Sequence, residues 1–166
     1  MPLRFRVFGI AAVLTVAFDQ LTKWWARKQL VYGRPVTLIP NVWDWELSYN
    51  QGSAFGLFNN METARIFLSV VGLVACAYIT WYMAKKAFDD QKWLSAALGL
   101  IWGGALGNVI DRIIDGKVTD FVLWHWKDTR WPQFNIADAA LVAGVIILFF
   151  DIGKDQKRHR KDKKRA

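Results

Sequence analysis

Four long runs of hydrophobic residues dominate the pattern of the chain, and polar, turn-rich segments separate them. The second and third runs each hold 18 residues without a charge, enough at about 1.5 Å per residue to cross most of a hydrocarbon core about 30 Å thick. The first run reaches that length only if Asp19 and Lys23 are included. The pattern predicts a mainly α membrane protein, a four-transmembrane-helix bundle in one domain over residues 1–166, with helices at roughly 7–26, 63–84, 93–111 and 134–152.

Two longer segments lie between these helices, on one side of the predicted bundle. Residues 29–60 contain Gly33, Pro35 and Pro40 and the β-prone stretch NVWDWELSY, which predicts a small β-rich cap. Residues 111–133 contain VLWHW and RWP, whose tryptophans are typical of a segment lying in the membrane interface. Both segments are therefore expected at the same face of the membrane.

The composition narrows the chemistry that the chain can perform. Of its 166 residues, 54% are hydrophobic, and Cys76 is the single cysteine, so no disulfide can form within the chain. His125 and His159 show no metal-ligand spacing. The sequence therefore predicts neither a metal nor a cofactor.

The basic residues predict the orientation in the membrane. The tail at residues 153–166 holds eight Lys or Arg against two Asp, and the side of both termini carries 13 of the 22 basic residues. By the positive-inside rule the termini are cytoplasmic. We expect the tail to be solvated and disordered near acidic headgroups, with no nucleic-acid partner. A cleaved signal peptide is the alternative for the N-terminus, but Asp19 and Lys23 lie where its small-residue cleavage site should be.

In this orientation the unusual polar residues of the helices all fall at the outer level. Asp19 and Lys23 share one helix face at i,i+4 spacing. The others are Asn108, Asp111 and Arg112 at the end of the third helix, Asp120 just after it, and Asn135 and Asp138 at the start of the fourth. Charged groups are costly in a membrane, so their convergence at one depth predicts a functional site.

Structural roles are the alternative for several of these residues. The candidate interhelical ion pairs are Asp19 with Lys23 and Asp111 with Arg112, and the candidate hydrogen-bonding residues are Asn108 and Asn135. Asp138 is the hardest to explain in this way, because its apolar run contains no basic residue. Gly99, Gly103 and Gly107 recur every four residues and predict a flat ridge that lets neighbouring helices approach closely.

Two of these aspartates suggest a specific chemistry. If Asp120 and Asp138 face each other away from bulk water, they share a proton and titrate as a pair. The ionised member can then take a proton from an attacking water while the protonated member donates to a carbonyl oxygen. The spacing alone leaves open whether they meet.

Five segments, in this order, resemble the lipoprotein signal peptidase family, also called signal peptidase II. They are DQLTK at 19–23, NQGSAFG at 50–56, GGALGNVIDR at 103–112, VTDF at 118–121 and FNIADAAL at 134–141. The resemblance implies an aspartic endopeptidase of the bacterial cytoplasmic (inner) membrane, with its active site at the extracytoplasmic face. It would remove signal peptides from diacylglyceryl-modified prolipoproteins by cleaving before the lipidated cysteine, and membrane phospholipids would surround a monomer.

The resemblance also implies roles for individual residues. Asp120 in VTDF and Asp138 in FNIAD match the catalytic pair. The residues implied to bind substrate or shape the site are Asp19, Lys23, Asn50, Gly52, Asn108, Asp111, Arg112 and Asn135. Ser53 and Thr119 depart from the residues often expected at their positions, and the basic tail has no counterpart in the core pattern.

Three other classes of function remain open at this level. Intramembrane Asp and Lys residues also mark proton-coupled transporters, although four spans without an evident inverted repeat are less typical of them. Ser53 and Lys23 could form a Ser/Lys dyad, because both lie on the outer side. A purely structural membrane protein is the third alternative, and it predicts that Asp138→Asn is silent or stabilising.

Overall fold

The computed structural model of the chain describes residues 1–52, 61–85, 91–127 and 129–163, of which residues 61 and 152–163 are described by their backbone alone. The described part contains four helices: α1 at Leu3–Gln29, α2 at Met61–Lys85, α3 at Lys92–Ile114 and α4 at Ile136–Lys163. In this part, three helical stretches are long and apolar enough to cross a membrane, namely Leu3–Gln29, Glu62–Lys85 and Lys92–Ile114. Their large apolar side chains, such as Val13 and Val74, point outward, as expected where lipid is the solvent. The chain is thus mainly helical and multi-pass.

Helix α3 lies at the centre and packs against α1, α2 and α4. The predicted glycine ridge is confirmed, and it faces α1. A Cβ atom at Gly103 would lie 2.7 Å from Thr15 Cβ, and one at Gly99 would lie 2.6 Å from the Phe8 carbonyl oxygen. A second small-residue contact, not anticipated from the sequence, joins α3 to α4 at Gly104 and Gly144. Helix α3 therefore holds both neighbours at backbone distance.

A four-stranded antiparallel sheet caps one end of the helices. Its strands are β1 at Val36–Ile39, β2 at Trp43–Asn50, β3 at Val118–Trp126 and β4 at Thr129–Arg130, in the order β1-β2-β3-β4. Its inner side packs on the end of α1, where the rings of Trp25, Trp45 and Phe121 meet edge to face or tilted. The predicted β-rich cap is confirmed for the described residues, while residues 53–60 lie outside them.

The structure bears on two expectations about chain segments. Residues 118–126 form the third strand of the sheet, which pairs with β2 and contacts α1, and Val118–Leu123 in it are buried. That this segment lies in the membrane interface stays a prediction. Only its outer end keeps the exposed tryptophans Trp124 and Trp126. The backbone of α4 continues as a helix to Lys163, where a disordered tail was expected. Lys and Arg are good helix formers, which is consistent with this continuation.

The path of the chain from α3 to α4 positions the polar residues. After α3 ends, β3 runs across the end of the bundle and the chain returns to Phe134, which exchanges two backbone hydrogen bonds with Val122 at 2.9 and 3.1 Å. This pairing fixes β3 next to the first turn of α4. As a result Asp120 on β3 and Asp138 on α4 lie at one site.

Candidate active site

Two asparagines connect the two aspartates. Asn135 Nδ2 donates to Asp120 Oδ1 at 2.7 Å, and Asn108 Nδ2 donates to Asp138 Oδ1 at 2.8 Å. Asn135 Nδ2 also lies 3.2 Å from Asn108 Oδ1. A continuous path of side-chain hydrogen bonds therefore runs from one carboxyl to the other. The sequence suggested that these four residues converge, and the structure brings them together.

Asn135 holds Asp138 in place by capping the helix that carries it. The side-chain oxygen of Asn135 accepts a hydrogen bond from the Asp138 backbone N–H at 2.9 Å, while Asp138 Oδ2 accepts one from the Asn135 backbone N–H at 3.3 Å. This is the reciprocal arrangement of a capping box, and it satisfies two backbone donors at the start of α4. The carboxyl that looked out of place in an apolar run thus belongs to a helix N-terminus.

Asp120 is buried in the site, with only 2% of its surface exposed. Burial, and then the nearby charge of Asp138, raise the pKa of the Asp120 carboxyl from its ordinary 3.8 to about 7. Hydrogen bonds from Asn135 and Asn50 and the charge of Lys23 act in the opposite direction, but they do not outweigh burial. Asp120 therefore keeps its proton at a pH where an exposed aspartate is ionised.

A fully buried lysine lies behind the asparagines. Lys23 Nζ contacts Asp19 Oδ2 at 2.9 Å, Asp111 Oδ2 at 3.4 Å and Asn108 Oδ1 at 3.0 Å. The pairing of Asp19 with Lys23 is as predicted. Asp111, for which Arg112 was the candidate partner, instead pairs with Lys23. Because the ammonium group holds the Asn108 oxygen, it orients the Asn108 nitrogen toward Asp138.

The two buried acids also tie separate elements together. Asp19 Oδ1 accepts a hydrogen bond from the Ala137 backbone N–H of α4 at 2.9 Å, where the helix dipole favours a negative charge. Asp111 Oδ2 accepts one from the Thr119 backbone N–H of β3 at 2.9 Å. These two contacts set the positions of the helix and the strand that carry Asp138 and Asp120.

Two residues of the site were not singled out from the sequence. Gln20 Nε2 donates to Asp19 Oδ2 and to Asp111 Oδ1, at 3.1 Å each. Arg27 Nη1 donates to Thr119 Oγ1 at 2.9 Å, and its guanidinium lies 3.7 Å from Asp115 Oδ2. Arg27 follows Lys23 by four residues, so its place on the same helix face was the available signal.

The remaining predicted residues border the site. Asn50 is next to Asp120, and its side-chain oxygen accepts the Gly52 backbone N–H at 2.8 Å. Gly52 has a φ of +86°, and a Cβ there would lie 2.8 Å from Leu68 Cδ1, so both the turn and the close packing favour glycine. Arg112 Nη1 donates to the Asn108 carbonyl oxygen at 3.4 Å, and its charge acts on both aspartates of the pair. Ser53 lies outside the described residues.

The chain is similar to known signal peptidases over nearly its whole length. The sequence model of the family described as Signal peptidase (SPase) II matches residues 11–154. The Lipoprotein signal peptidase of Geobacter metallireducens is 36% identical over 98% of this chain and 99% of its own, and that of Polynucleobacter necessarius is 40% identical over 89% and 93%. A bacterial membrane enzyme of known structure superposes with a TM-score of 0.79 at 30% identity, covering 91% of this chain and 90% of its own. Sequence, fold and site thus lead to one conclusion: the chain belongs to the signal peptidase II family.

Proposed function

We propose that Asp120 and Asp138 form the catalytic pair of an aspartic endopeptidase that removes signal peptides from diacylglyceryl-modified prolipoproteins, cleaving before the lipidated cysteine. Membership in the signal peptidase II family makes the chain a peptidase, and the relatives reported above are named for lipoprotein substrates. The observation that carries the assignment of the pair is the Asp120–Asn135–Asn108–Asp138 path.

The proposed reaction uses one proton shared between the two carboxyl groups. The ionised member removes a proton from a water molecule as its oxygen attacks the carbonyl carbon of the scissile peptide bond. The protonated member donates to the carbonyl oxygen, and collapse of the tetrahedral intermediate expels the amine, which receives the proton taken from the water. The raised pKa of Asp120 supports Asp120 as the proton donor.

In this proposal Asp19, Lys23, Asn108, Asp111 and Asn135 position the pair without touching the reacting atoms. Their mutual contacts are buried and connect α1, α3, β3 and α4. Arg112 acts on both aspartates through its charge, while Asn50 and Gly52 shape the outer border of the site. Such a network holds catalytic groups in the geometry that the reaction needs.

We also propose that the chain is a single integral membrane peptidase domain with α4 as its fourth span. The exposed apolar side chains of α4, among them Val142, Val145 and Phe149, support immersion in lipid. The distribution of basic residues supports cytoplasmic termini. The sheet and the aspartates then lie at the extracytoplasmic face of the bacterial inner membrane, among phospholipids, in a chain that works as a monomer.

The test is cleavage of a purified diacylglyceryl-modified prolipoprotein by wild type, Asp120→Asn and Asp138→Asn in detergent, followed by gel shift. We expect both variants to fold, bind the substrate and fail to cleave it. Asp151→Asn, thirteen residues along the same helix from Asp138, is the matched control and should cleave normally. Near wild-type cleavage by either active-site variant would refute the pair.

The Ser/Lys alternative has a separate control. Lys23 Nζ contacts two carboxylates and an amide oxygen, so its three donors are already engaged with residues that position the aspartates. Ser53→Ala should therefore cleave the prolipoprotein at the wild-type rate. Loss of cleavage in that variant would support Ser53 as the nucleophile of a Ser/Lys dyad.

A further inference from the structure

Thr119, which directly precedes Asp120 on β3, is held through all three of its polar groups. Its backbone N–H donates to Asp111 Oδ2 at 2.9 Å, and its carbonyl oxygen accepts a hydrogen bond from Asn135 Nδ2 at 3.3 Å. Its hydroxyl accepts a hydrogen bond from Arg27 Nη1 at 2.9 Å. Consecutive Cα atoms are only about 3.8 Å apart, so a shift of Thr119 would displace Asp120 as well.

The guanidinium of Arg27 spans the connection between α3 and β3. Its Nη1 also lies 3.7 Å from Asp115 Oδ2, and Asp115 is the residue at which α3 ends. Between Asp115 and Thr119 the chain turns at Gly116, which has a φ of +73°. One side chain of α1 therefore contacts both ends of this short connection. A guanidinium suits the task because it carries several N–H donors in a fixed planar geometry.

The hydrogen bond to Thr119 is the stronger of the two contacts of Arg27. The side chains of Arg27 and Asp115 are 29% and 39% exposed, so solvent screens their ion pair. Thr119 is only 1% exposed, and loss of the guanidinium would leave its buried hydroxyl without this donor. Thr119 also departs from the residue expected from the family resemblance. Its hydroxyl supplies a contact that an aliphatic side chain at this position would lack.

We propose that Arg27 is a positioning residue, which holds Asp120 in place for the reaction through its hydrogen bond to Thr119, an inference that rests on the proposed function. Lys23, one turn earlier on the same face of α1, orients the asparagine that donates to Asp138. Arg27 provides the corresponding support on the side of Asp120. Helix α1 thus aligns both members of the pair, and a misplacement of about 1 Å in such a site can cost about a hundredfold in rate.

Removal of the hydroxyl separates positioning from stability. Thr119→Val keeps the shape of the side chain, and valine is favoured in a buried strand, so the thermal midpoint should not fall. We expect kcat for the prolipoprotein to fall about tenfold with KM unchanged, because the support is needed for the chemical step. Thr119→Ser keeps a hydroxyl and should restore most of the activity. Thr37→Val, on the exposed strand β1, is the matched control and should keep wild-type kcat.

Arg27 is tested by the same measurements. Arg27→Lys keeps the charge but replaces the planar guanidinium by an ammonium on a flexible stem, and we expect it to lower kcat as Thr119→Val does. Lys28→Leu removes a charge at the adjacent exposed position and should have no effect. Because Arg27 and Thr119 act through one contact, Arg27→Leu combined with Thr119→Val should lower kcat no more than the stronger single variant. Losses that multiply in the double variant would overturn the proposal.

The outcomes separate this inference from the proposed function. If wild type does not cleave the prolipoprotein, the proposed function fails and the positioning role fails with it. If wild type cleaves it and Asp120→Asn does not, wild-type kcat in Thr119→Val and Arg27→Lys would overturn the positioning role alone. A thermal midpoint of Thr119→Val that falls, with a normal kcat well below that midpoint, would assign the contact to stability and also overturn the inference.

Discussion

The side-chain nitrogen of Asn135 donates a hydrogen bond to Asp120 Oδ1 at 2.7 Å, while its side-chain oxygen caps the helix that carries Asp138. One residue therefore performs two separable tasks, helix capping and orientation of a buried carboxyl. Serine caps a helix as well as asparagine does, but its single hydroxyl cannot cap the helix and also reach Asp120 on β3.

Asn135→Ser should therefore preserve the fold and lose activity. We expect the thermal midpoint to fall less than in Asn135→Ala, because the cap remains, and kcat to fall at least about tenfold, because Asp120 loses its donor. Asn135→Ala removes both functions and should also lower the free energy of unfolding by about 1 kcal/mol. Thermal unfolding in detergent and cleavage rates on the same samples measure both quantities. Wild-type kcat in the serine variant would contradict a positioning role.

The pKa of Asp120 makes stability depend on pH. In the folded chain this carboxyl binds its proton up to a pH of about 7, whereas in the unfolded chain it releases it near 3.8. The folded state therefore binds more protons than the unfolded state between these two pH values. As a result the contribution of the Asp120 carboxyl to the free energy of unfolding falls as the pH rises from about 4 to 7. Below pH 4 the carboxyl is protonated in both states, so this penalty on folding is absent.

Asp120→Asn removes this penalty without removing the hydrogen-bonding shape. We expect its thermal midpoint to equal that of wild type near pH 4 and to exceed it at pH 8, while Asp151→Asn should follow wild type throughout. The measurement is the thermal midpoint of the three proteins in detergent at several pH values. A constant difference between Asp120→Asn and wild type over this range would mean that the carboxyl does not carry a raised pKa.

The buried ammonium of Lys23 is expected to be essential for folding. Lys23→Met leaves Asp19 and Asp111 buried without their cation, and breaking a buried pair of this kind costs about 3–5 kcal/mol. Lys23→Met combined with Asp19→Asn should recover part of that loss. Arg65→Met, which breaks an exposed pair with Glu62, should change the free energy of unfolding by less than about 1 kcal/mol. Equal effects of the two single variants would show that burial does not govern the cost.

Close packing of α1 on α3 predicts a contrast between two glycines. An added Cβ at Gly103 would lie 2.8 Å from the Ala12 carbonyl oxygen, whereas one at Gly9 meets nothing within 4 Å. Gly103→Ala should therefore push the helices apart and destabilise the protein by about 1–3 kcal/mol. Gly9→Ala should be neutral, or stabilising by up to about 1 kcal/mol. The free energies of unfolding in detergent decide this, and a destabilising Gly9→Ala would count against the packing explanation.

Local properties of the sequence determined the helices and part of the site. Apolar runs of 18 residues predict membrane helices because each residue contributes to transfer into lipid independently of distant ones. The i,i+4 spacing of Asp19 and Lys23 determined their pairing, because residues four apart lie on the same face of a helix. The ordered motifs were sufficient to identify the family. The catalytic roles of Asp120 and Asp138 stay predictions.

The tertiary structure alone decided which distant groups meet. Lys23 contacts Asn108 across 85 positions of the chain, and Asp111 pairs with Lys23 rather than with its neighbour Arg112. Such contacts depend on which helix packs against each glycine surface, and the local spacing of the glycines does not specify that partner. The strand at residues 118–126 also depends on contacts with distant residues. Its tryptophan-rich end is typical of an interfacial segment, but its backbone hydrogen bonds are made with β2 and with Phe134. This pairing directs Asp120 into the site.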